Sequence, residues 1–380
     1  QKDEFCRRFQ QTSGPAIAKG VEDTACYRWF PLSALNEVGG DPDQFGISPA
    51  EFHEWAERRR ADWPYSLNAM STHDNKRSED VRARLAVLSE IPGEWVTTVR
   101  AWRQASGPIL TVGPDPALDN AATSDERLGW LAWQTLVGAW PLDAERLAGY
   151  LVKAAREAKL VTSWKSPDEG VEADIVAFVD RVLADEPLMG SVAQAVERLH
   201  PGFVANVLGQ RAVQLFMPGV PDIYQGCEIV DLHLVDPDNR RCSDAVVLDE
   251  ALVRGIAGVR EPAVDLDAAK ARLTATGLQV LRDRPDLVGP DAAHTAVGVE
   301  GQGADHVVAF TRGSDVVVLV TRFALRLAAS GGWADTTVAL PAGRWRELLQ
   351  PRTMEFMEPS TPVADVLDHW PVAVLVREGA

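Results

Sequence analysis

The sequence predicts an α/β chain: the closing part of a parallel barrel, interrupted by a large helical block and followed by an all-β region. Three observations predict it. Two short apolar strands, residues 67–70 and 220–224, each run into a polar loop and are separated by helical sequence, which is the alternation of a parallel barrel with its chemistry at the carboxyl ends of strands. Between them apolar residues recur at helical intervals. After about residue 295, β-rich segments alternate with Gly-rich turns.

In chain order, residues 1–50 read as irregular. Turn signals stand at Ser13-Gly14-Pro15, Gly39-Gly40-Asp41-Pro42 and Gly46. Between them lie a short strand at Ala16-Ile17-Ala18 and a helical turn over residues 24–30. Residues 51–60 read as a helix. The strand at 67–70 leads into the polar stretch Ser71-Thr72-His73-Asp74-Asn75-Lys76-Arg77. Ser78 then suits a helix N-cap, with Glu79 and Asp80 where the helix dipole favours acids. Helical spacing continues through Val81, Leu85 and Leu88, through Trp95, Val99 and Trp102, and through Leu147, Tyr150, Leu151 and Ala154. Loops are expected at Gly107-Pro108, Gly113-Pro114 and residues 163–170, and one further helix over residues 203–215. Strands are expected at residues 306–311, 316–321, 336–340 and 372–376. At roughly 150 residues per domain, 380 residues suggest two or three domains. The expected division is 1–77 for barrel strands and loops, 78–200 for a helical insertion, 201–295 for the last barrel strand and its helices, and 296–380 for the β region.

Composition narrows the function. The chain is 46% hydrophobic and 24% charged, the balance of a soluble protein. A net charge of −17 argues against nucleic acid or an anionic membrane as a partner. Cys6, Cys26, Cys227 and Cys242 show no C-x-x-C spacing and no nearby His pair, so neither a metal site nor a disulfide framework is expected. Scattered thiols fit a reducing cytoplasm. There is no apolar run of spanning length, and Gln1-Lys2-Asp3-Glu4-Phe5 lacks the apolar core of a signal peptide.

Four groups of residues are candidates for function. His73-Asp74, at the carboxyl end of a strand, suits binding of a polar substrate or stabilisation of developing positive charge; the bland alternative is a loop cap with a packed imidazole. Lys19-Gly20-Val21-Glu22-Asp23-Thr24 concentrates polarity beside a glycine, and equally fits a turn with a helix cap. Asp236-Pro237-Asp238-Asn239-Arg240-Arg241 offers carboxylates and guanidinium groups to sugar hydroxyls, or forms a salt-bridged surface turn. The twelve tryptophans suit stacking on sugar faces, although several sit at helical spacing and read as core. Glu79 and Asp80 read as helix-start acids, and His200 and His233 as structural.

Order and combination add a further signal. Ala18-Lys19-Gly20-Val21-Glu22-Asp23-Thr24-Ala25, Leu35-Asn36-Glu37-Val38-Gly39-Gly40-Asp41-Pro42, and the stretch from Ser71-Thr72-His73-Asp74-Asn75-Lys76-Arg77 to Arg84 resemble the maltooligosyltrehalose synthase family of the α-amylase superfamily. So do Pro218-Gly219-Val220-Pro221-Asp222-Ile223-Tyr224-Gln225-Gly226-Cys227-Glu228 and Leu234-Val235-Asp236-Pro237-Asp238-Asn239-Arg240-Arg241. The resemblance implies a (β/α)8 barrel whose seventh strand lies at 67–74 and whose eighth lies within 220–228. It also implies an enzyme that converts the reducing-end α-1,4 linkage of a maltooligosaccharide to an α,α-1,1 linkage, by retaining transfer and without a cofactor.

Three carboxylates serve that chemistry in the superfamily. Only the third, the transition-state stabiliser, has a counterpart here, Asp74; the nucleophile and acid/base would come from the N-terminal half of the same enzyme. By the same resemblance His73, Lys76, Lys19, Glu22, Asp23, Tyr224, Gln225, Asp238, Asn239 and Arg240 bind substrate. The helical insertion and the Lys19 loop are candidates for a lid that keeps water from the intermediate. Two alternatives stay open: an α-glucan hydrolase or 4-α-glucanotransferase on the same barrel, and a non-catalytic sugar-binding fragment.

Overall fold

The computed structural model describes residues 2–110, 124–357 and 360–379; the turn expected at Gly113-Pro114 lies outside them. The first element is a helix, α1 (Lys2–Ile17), which buries none of its side chains. It passes directly into a π-helical turn, Ala18–Glu22, closed by the Asp23 N–H on the Ala18 carbonyl at 2.9 Å. The strand expected at Ala16-Ile17-Ala18 is therefore helical. Three extended residues need a neighbouring edge to pair their backbone groups, whereas a helix pairs them locally. Helix α2 (Pro49–Asp62) starts at a reciprocal capping box of Ser48 and Glu51, with Pro49 in its first turn.

Strands β1 (Leu67–Ala69) and β2 (Val220–Asp222) pair in parallel, Leu67 opposite Val220 and Ala69 opposite Asp222. Gly219 makes the approach possible. Its φ is +123°, and a Cβ there would lie 2.5 Å from Asn68 Oδ1 and 2.7 Å from the Ser66 carbonyl. Between the strands run α3 (Glu79–Val87), α4 (Pro92–Ser106), α5 (Ser124–Gly138), α6 (Ala144–Ala158), α7 (Glu169–Ala184) and α8 (Glu186–Phe216). Ser78, Asp143, Asp168 and Asp185 each accept a first-turn N–H and set these starts, Ser78 in the role its sequence context suggested. Trp95, Val99 and Trp102 are buried on α4, as their spacing requires. Trp102 meets Trp133 of α5 at 5.2 Å between ring centroids, and Trp133 meets Phe178 of α7 at 6.1 Å. These indoles are core.

Residues 203–215, expected as a separate helix, are the second half of α8, which continues through Pro201. Proline deletes one N–H of the ladder, but packing on both sides holds the helix in register. Gly202 lies so near Val87 that a Cβ would meet its methyl at 2.7 Å, and Leu199, Phe203 and Val207 are all buried.

Helices α9 (Ala245–Ala257) and α10 (Leu266–Asp283) follow β2. The remaining strands are β3 (His294–Ala296), β4 (Val299–Glu300), β5 (Val307–Arg312), β6 (Val316–Thr321), β7 (Thr337–Val338), β8 (Gly343–Glu347), β9 (Arg352–Phe356), β10 (Thr361–Pro362) and β11 (Val372–Arg377). They form an antiparallel sheet in the order β3-β5-β6-β11-β8-β9 and a small sheet in the order β10-β7-β4. Every residue of β6 is buried. Val316, Val318 and Val320 pack with Phe203, Leu208 and Leu215 of α8, while Val317 and Leu319 pack with Val338 and Trp345 on the opposite face. Burial on both faces explains an unbroken apolar run in an antiparallel sheet. The region is not purely β, because a short helix, Ala324–Ala329, and a helical turn, Val363–Val366, interrupt the strands. Among the described residues no helix is long and apolar enough to cross a membrane.

Candidate functional site

β1 leads into the turn at 72–77, and two side chains from elsewhere, Glu37 and Asn239, fix its backbone. The Glu37 carboxylate accepts the N–H groups of Lys76 at 2.8 Å and Arg77 at 3.3 Å. Asn239 donates through Nδ2 to the His73 carbonyl at 3.0 Å and the Thr72 carbonyl at 3.4 Å. Tyr224 OH holds Asn239 in turn, donating to its carbonyl at 3.0 Å. From within, Asn75 Oδ1 accepts the Thr72 N–H at 2.5 Å, and the Asp74 N–H reaches Thr72 Oγ1 at 3.3 Å. Arg77 is buried, donating to the Ser33 carbonyl at 3.2 Å and to Tyr150 OH at 2.6 Å. On this fixed backbone His73 and Asp74 are exposed. Among the described residues neither side chain forms a hydrogen bond or an ion pair. Here an acceptor carboxylate and an imidazole are presented outward by a turn that does not spend them on itself.

Lys76 sits beside this pair but is itself buried. Its Nζ donates to Asp23 Oδ1 at 2.8 Å and lies 5.8 Å from the centroid of the Tyr27 ring. Lys19 donates to the other oxygen of Asp23. Burial opposes ionisation of Asp23, but the two ammonium groups outweigh it and hold the carboxyl below its usual range. Glu22 accepts the Gly39 N–H at 3.3 Å. The structure thus joins the 19–24 loop, the 37–40 turn and the 72–77 turn into one assembly, although more than thirty residues separate the last two.

The segment at 236–241 divides its tasks. Asn239 is buried against the His73 turn, whereas the neighbouring Asp238 carboxylate points to α6 and receives both arms of Arg146, at 3.0 and 2.8 Å. Asp238 also accepts the Leu234 N–H at 2.8 Å and pairs with Arg241 at 3.0 Å. Burial raises its pKa, and these donors more than offset that, leaving it low. Asp238 is therefore a structural clamp in this arrangement. Arg240 is exposed, 3.7 Å from Asp236, and Gln225 donates weakly to the Arg241 carbonyl at 3.4 Å.

Glu79 and Asp80 have more to do than favour a helix dipole. Both are buried, with Arg211 of α8 and Lys270 of α10. Lys270 Nζ lies 2.6 Å from Asp80 Oδ2, 2.9 Å from Glu79 Oε1 and 2.9 Å from the Ile229 carbonyl. Arg211 pairs with Glu79 at 2.6 Å and donates to the Cys227 carbonyl at 2.5 Å and to Gln214 Oε1 at 2.5 Å. Gln214 Nε2 then donates to the carbonyls of Asn68 in β1 and Asp222 in β2, both at 2.8 Å. Glu79 closes the circuit through Ser71, just before the turn. Burial lifts Asp80 to about 6, with Lys270 acting against it. The available signal was polar residues on buried helical faces: Lys270 among Ala268, Ala269 and Leu273, and Arg211 and Gln214 among Leu208, Ala212 and Leu215.

The two histidines read as lone have partners: His233 Nδ1 contacts Asp231, and His200 Nε2 lies 2.8 Å from the Ala263 carbonyl. A third pair, unforeseen, is His53 of α2 and His294 of β3, with ring nitrogens 3.0 Å apart. Cys26 and Cys227 are buried and Cys6 and Cys242 exposed, all four as free thiols.

No family model matches the chain. Over 98% of its length it is 39% identical to a Mycobacterium tuberculosis protein named as a maltooligosyl trehalose synthase, covering 46% of that relative. Among solved structures, maltooligosyltrehalose synthase from Arthrobacter ramosus is 39% identical, with a TM-score of 0.88 over 97% of this chain and 46% of that one. A Sulfolobus tokodaii protein described as a hypothetical maltooligosyl trehalose synthase is 27% identical, with a TM-score of 0.77 over 95% of this chain and 45% of that one. The resemblance drawn from the sequence blocks is borne out, and the chain spans about half the length of the relatives it matches.

Proposed function

We propose that this chain, matched over nearly its whole length to about half of maltooligosyltrehalose synthase, supplies the C-terminal portion of such an enzyme. Its substrate would be a maltooligosaccharide, and its reaction the intramolecular transfer that turns the reducing-end α-1,4 linkage into an α,α-1,1 linkage. The observation that carries the reading is the His73–Asp74 pair: two exposed polar side chains that hydrogen-bond to no described residue, on a turn that Glu37, Asn75 and Asn239 hold rigid.

In this proposal β1 and β2 are the seventh and eighth strands of a (β/α)8 barrel, and α3 to α8 lie between them as an insertion. Asp74 accepts hydroxyls of the sugar beside the cleaved bond and binds them more tightly as the ring flattens toward an oxocarbenium geometry. His73 donates to a further hydroxyl of the same ring. The rigid backbone matters because a fixed acceptor stabilises the flattened ring without reorganising at the moment of reaction. Lys76 and Asp23, already paired with each other, shape the wall beside that ring. Lys19, on the exposed rim of the same cluster, closes the pocket, so that the released glucose attacks before water does. The nucleophile and acid/base come from the other half of the enzyme, the partner this reading requires. The cytoplasm is the compartment that free thiols suit.

The test is to mix the chain with a polypeptide carrying the other half and supply maltopentaose. A fall in reducing ends without release of glucose supports the proposal. A rise in reducing ends replaces it with hydrolysis. No change, with both halves shown to associate, leaves a sugar-binding module.

A further inference from the structure

We propose that a second glucan-binding cleft lies between the 160–166 loop and the 19–24 loop, with Trp164 as its stacking face; the proposal rests on the glucan reading above. The cleft has a volume of 790 Å3 and is lined by Lys19, Glu157, Leu160, Trp164 and Ser166 among others, a size that suits a small ligand or a few sugar rings.

Trp164 is the reason to read it as a site. The indole is 54% exposed, whereas Trp95, Trp102 and Trp133 are buried in the helical core. An exposed ring of this size is ordinarily mobile, yet here the loop is built to hold it. The Arg156 guanidinium lies 4.8 Å from its ring centroid. Arg156 is itself fixed by a two-armed ion pair to Glu172, at 2.7 and 2.5 Å. Glu172 also accepts Thr162 Oγ1 at 2.9 Å, and Thr162 Oγ1 accepts the Asp168 N–H at 2.9 Å. Ser163 and Ser166 close the loop on either side, through the Ser163 N–H to the Ser166 carbonyl at 3.2 Å. A rigid aromatic surface facing solvent is how a protein offers stacking at little entropic cost.

Side-chain chemistry selects the kind of ligand. Three lysines lie on the cleft, but Lys19 is paired with Asp23 and Lys159 donates to Thr24 Oγ1 at 2.6 Å. Glu157 is the acid of the lining and Lys165 its third lysine. The site carries one net positive charge once Asp23 is counted, with Lys159 and Lys165 against Glu157. It has hydroxyls, a carboxylate and an indole, which suit the hydroxyl rim and C–H faces of neutral pyranose rings. Lys19 links the cleft to the first site, because it lines the cleft and pairs with Asp23, the carboxylate that also receives Lys76 of the 72–77 turn.

The experiment is calorimetric titration of the 380-residue chain with maltose and with maltoheptaose, comparing wild type, Trp164→Ala and Trp164→Phe. Loss of a stacking tryptophan is expected to weaken maltoheptaose about tenfold, with maltose little changed and Trp164→Phe recovering most of the loss. Equal maltoheptaose affinity in wild type and Trp164→Ala overturns the cleft and leaves the first site standing. Failure of the wild type to bind maltoheptaose more tightly than maltose also overturns it, and the reducing-end assay then judges the glucan reading by itself. Circular dichroism of both variants guards against misfolding as the cause.

Discussion

Replacing Lys270 by Met tests whether the buried charges behind the His73–Asp74 turn act as one unit. Methionine keeps most of the stem volume and removes the ammonium group. Glu79 keeps Arg211 at 2.6 Å, but Asp80 is left with only the Asp231 N–H at 2.7 Å and Gln210 at 3.3 Å. Breaking one partner out of a buried pair typically costs about 3–5 kcal/mol, because the remaining charge is stranded. Asp80 has an escape, since burial already lifts its pKa to about 6 with Lys270 present. Without the lysine it moves higher and is neutral in the folded variant at pH 7. The unfolded chain releases that proton near the ordinary aspartate value, so folding the variant binds a proton, at about 1.4 kcal/mol per pH unit.

Wild type shares that slope only up to its own pKa of about 6. The stability difference between wild type and Lys270→Met, from urea unfolding, is thus expected to widen by about 1.4 kcal/mol between pH 6 and pH 7. Adding Asp80→Asn should abolish that widening and make the double variant more stable than the sum of the single losses predicts. A pH-independent loss with additive single and double variants would refute the idea of a coupled unit.

Two further substitutions address other parts of the fold. Burial, then His53 and Arg312, lower the His294 pKa to about 4, so the folded ring stays neutral while the unfolded one gains a proton below about 6.5. Wild type should lose up to about 3 kcal/mol as pH falls from 6.5 to 4; His294→Phe, set among Phe52 and Phe310, should flatten that slope in urea titrations at pH 7 and 4.5. Lys19→Ala, in the reconstituted enzyme, should raise free glucose relative to transfer product several-fold by opening the pocket rim; an unchanged ratio removes the 19–24 loop from the role of lid.

What was legible in the sequence follows from the range of the physics involved. The cap at Ser78 acts within one turn, so the start of its helix could be read locally. β6 and β11 announced themselves by apolar runs buried on both faces, and β5 by the apolar stretch from Val307 to Phe310. β8 and β9 did not, because Arg344, Arg346 and Glu355 alternate with their buried residues on a solvent-facing edge. The continuation of α8 through Pro201 depends on Val87, over a hundred residues away, and no local rule reaches it. At the site, the order of the blocks named the right segments but could not divide their labour. Asp238 and Asn239 are adjacent, yet one serves Arg146 and the other serves the His73 carbonyl.

That division bears on how an exposed pair such as His73 and Asp74 can act at all. A carboxylate that must grip a sugar more firmly in the transition state gains nothing from a mobile backbone, since motion lets it grip the ground state equally well. Here, the turn is held by Glu37 from one loop, by Asn239 and Tyr224 from another, and by Gln214, Arg211 and Glu79 behind both strands. The clamps are carboxylate, amide, phenol and guanidinium groups bonded to protein, whereas among the described residues the His73 and Asp74 side chains make no hydrogen bond. The motif's polarity is thus mostly scaffolding. Substitution of a scaffold member such as Glu37 should accordingly lower kcat with little change in KM, whereas loss of a ligand-holding hydroxyl contact would raise KM.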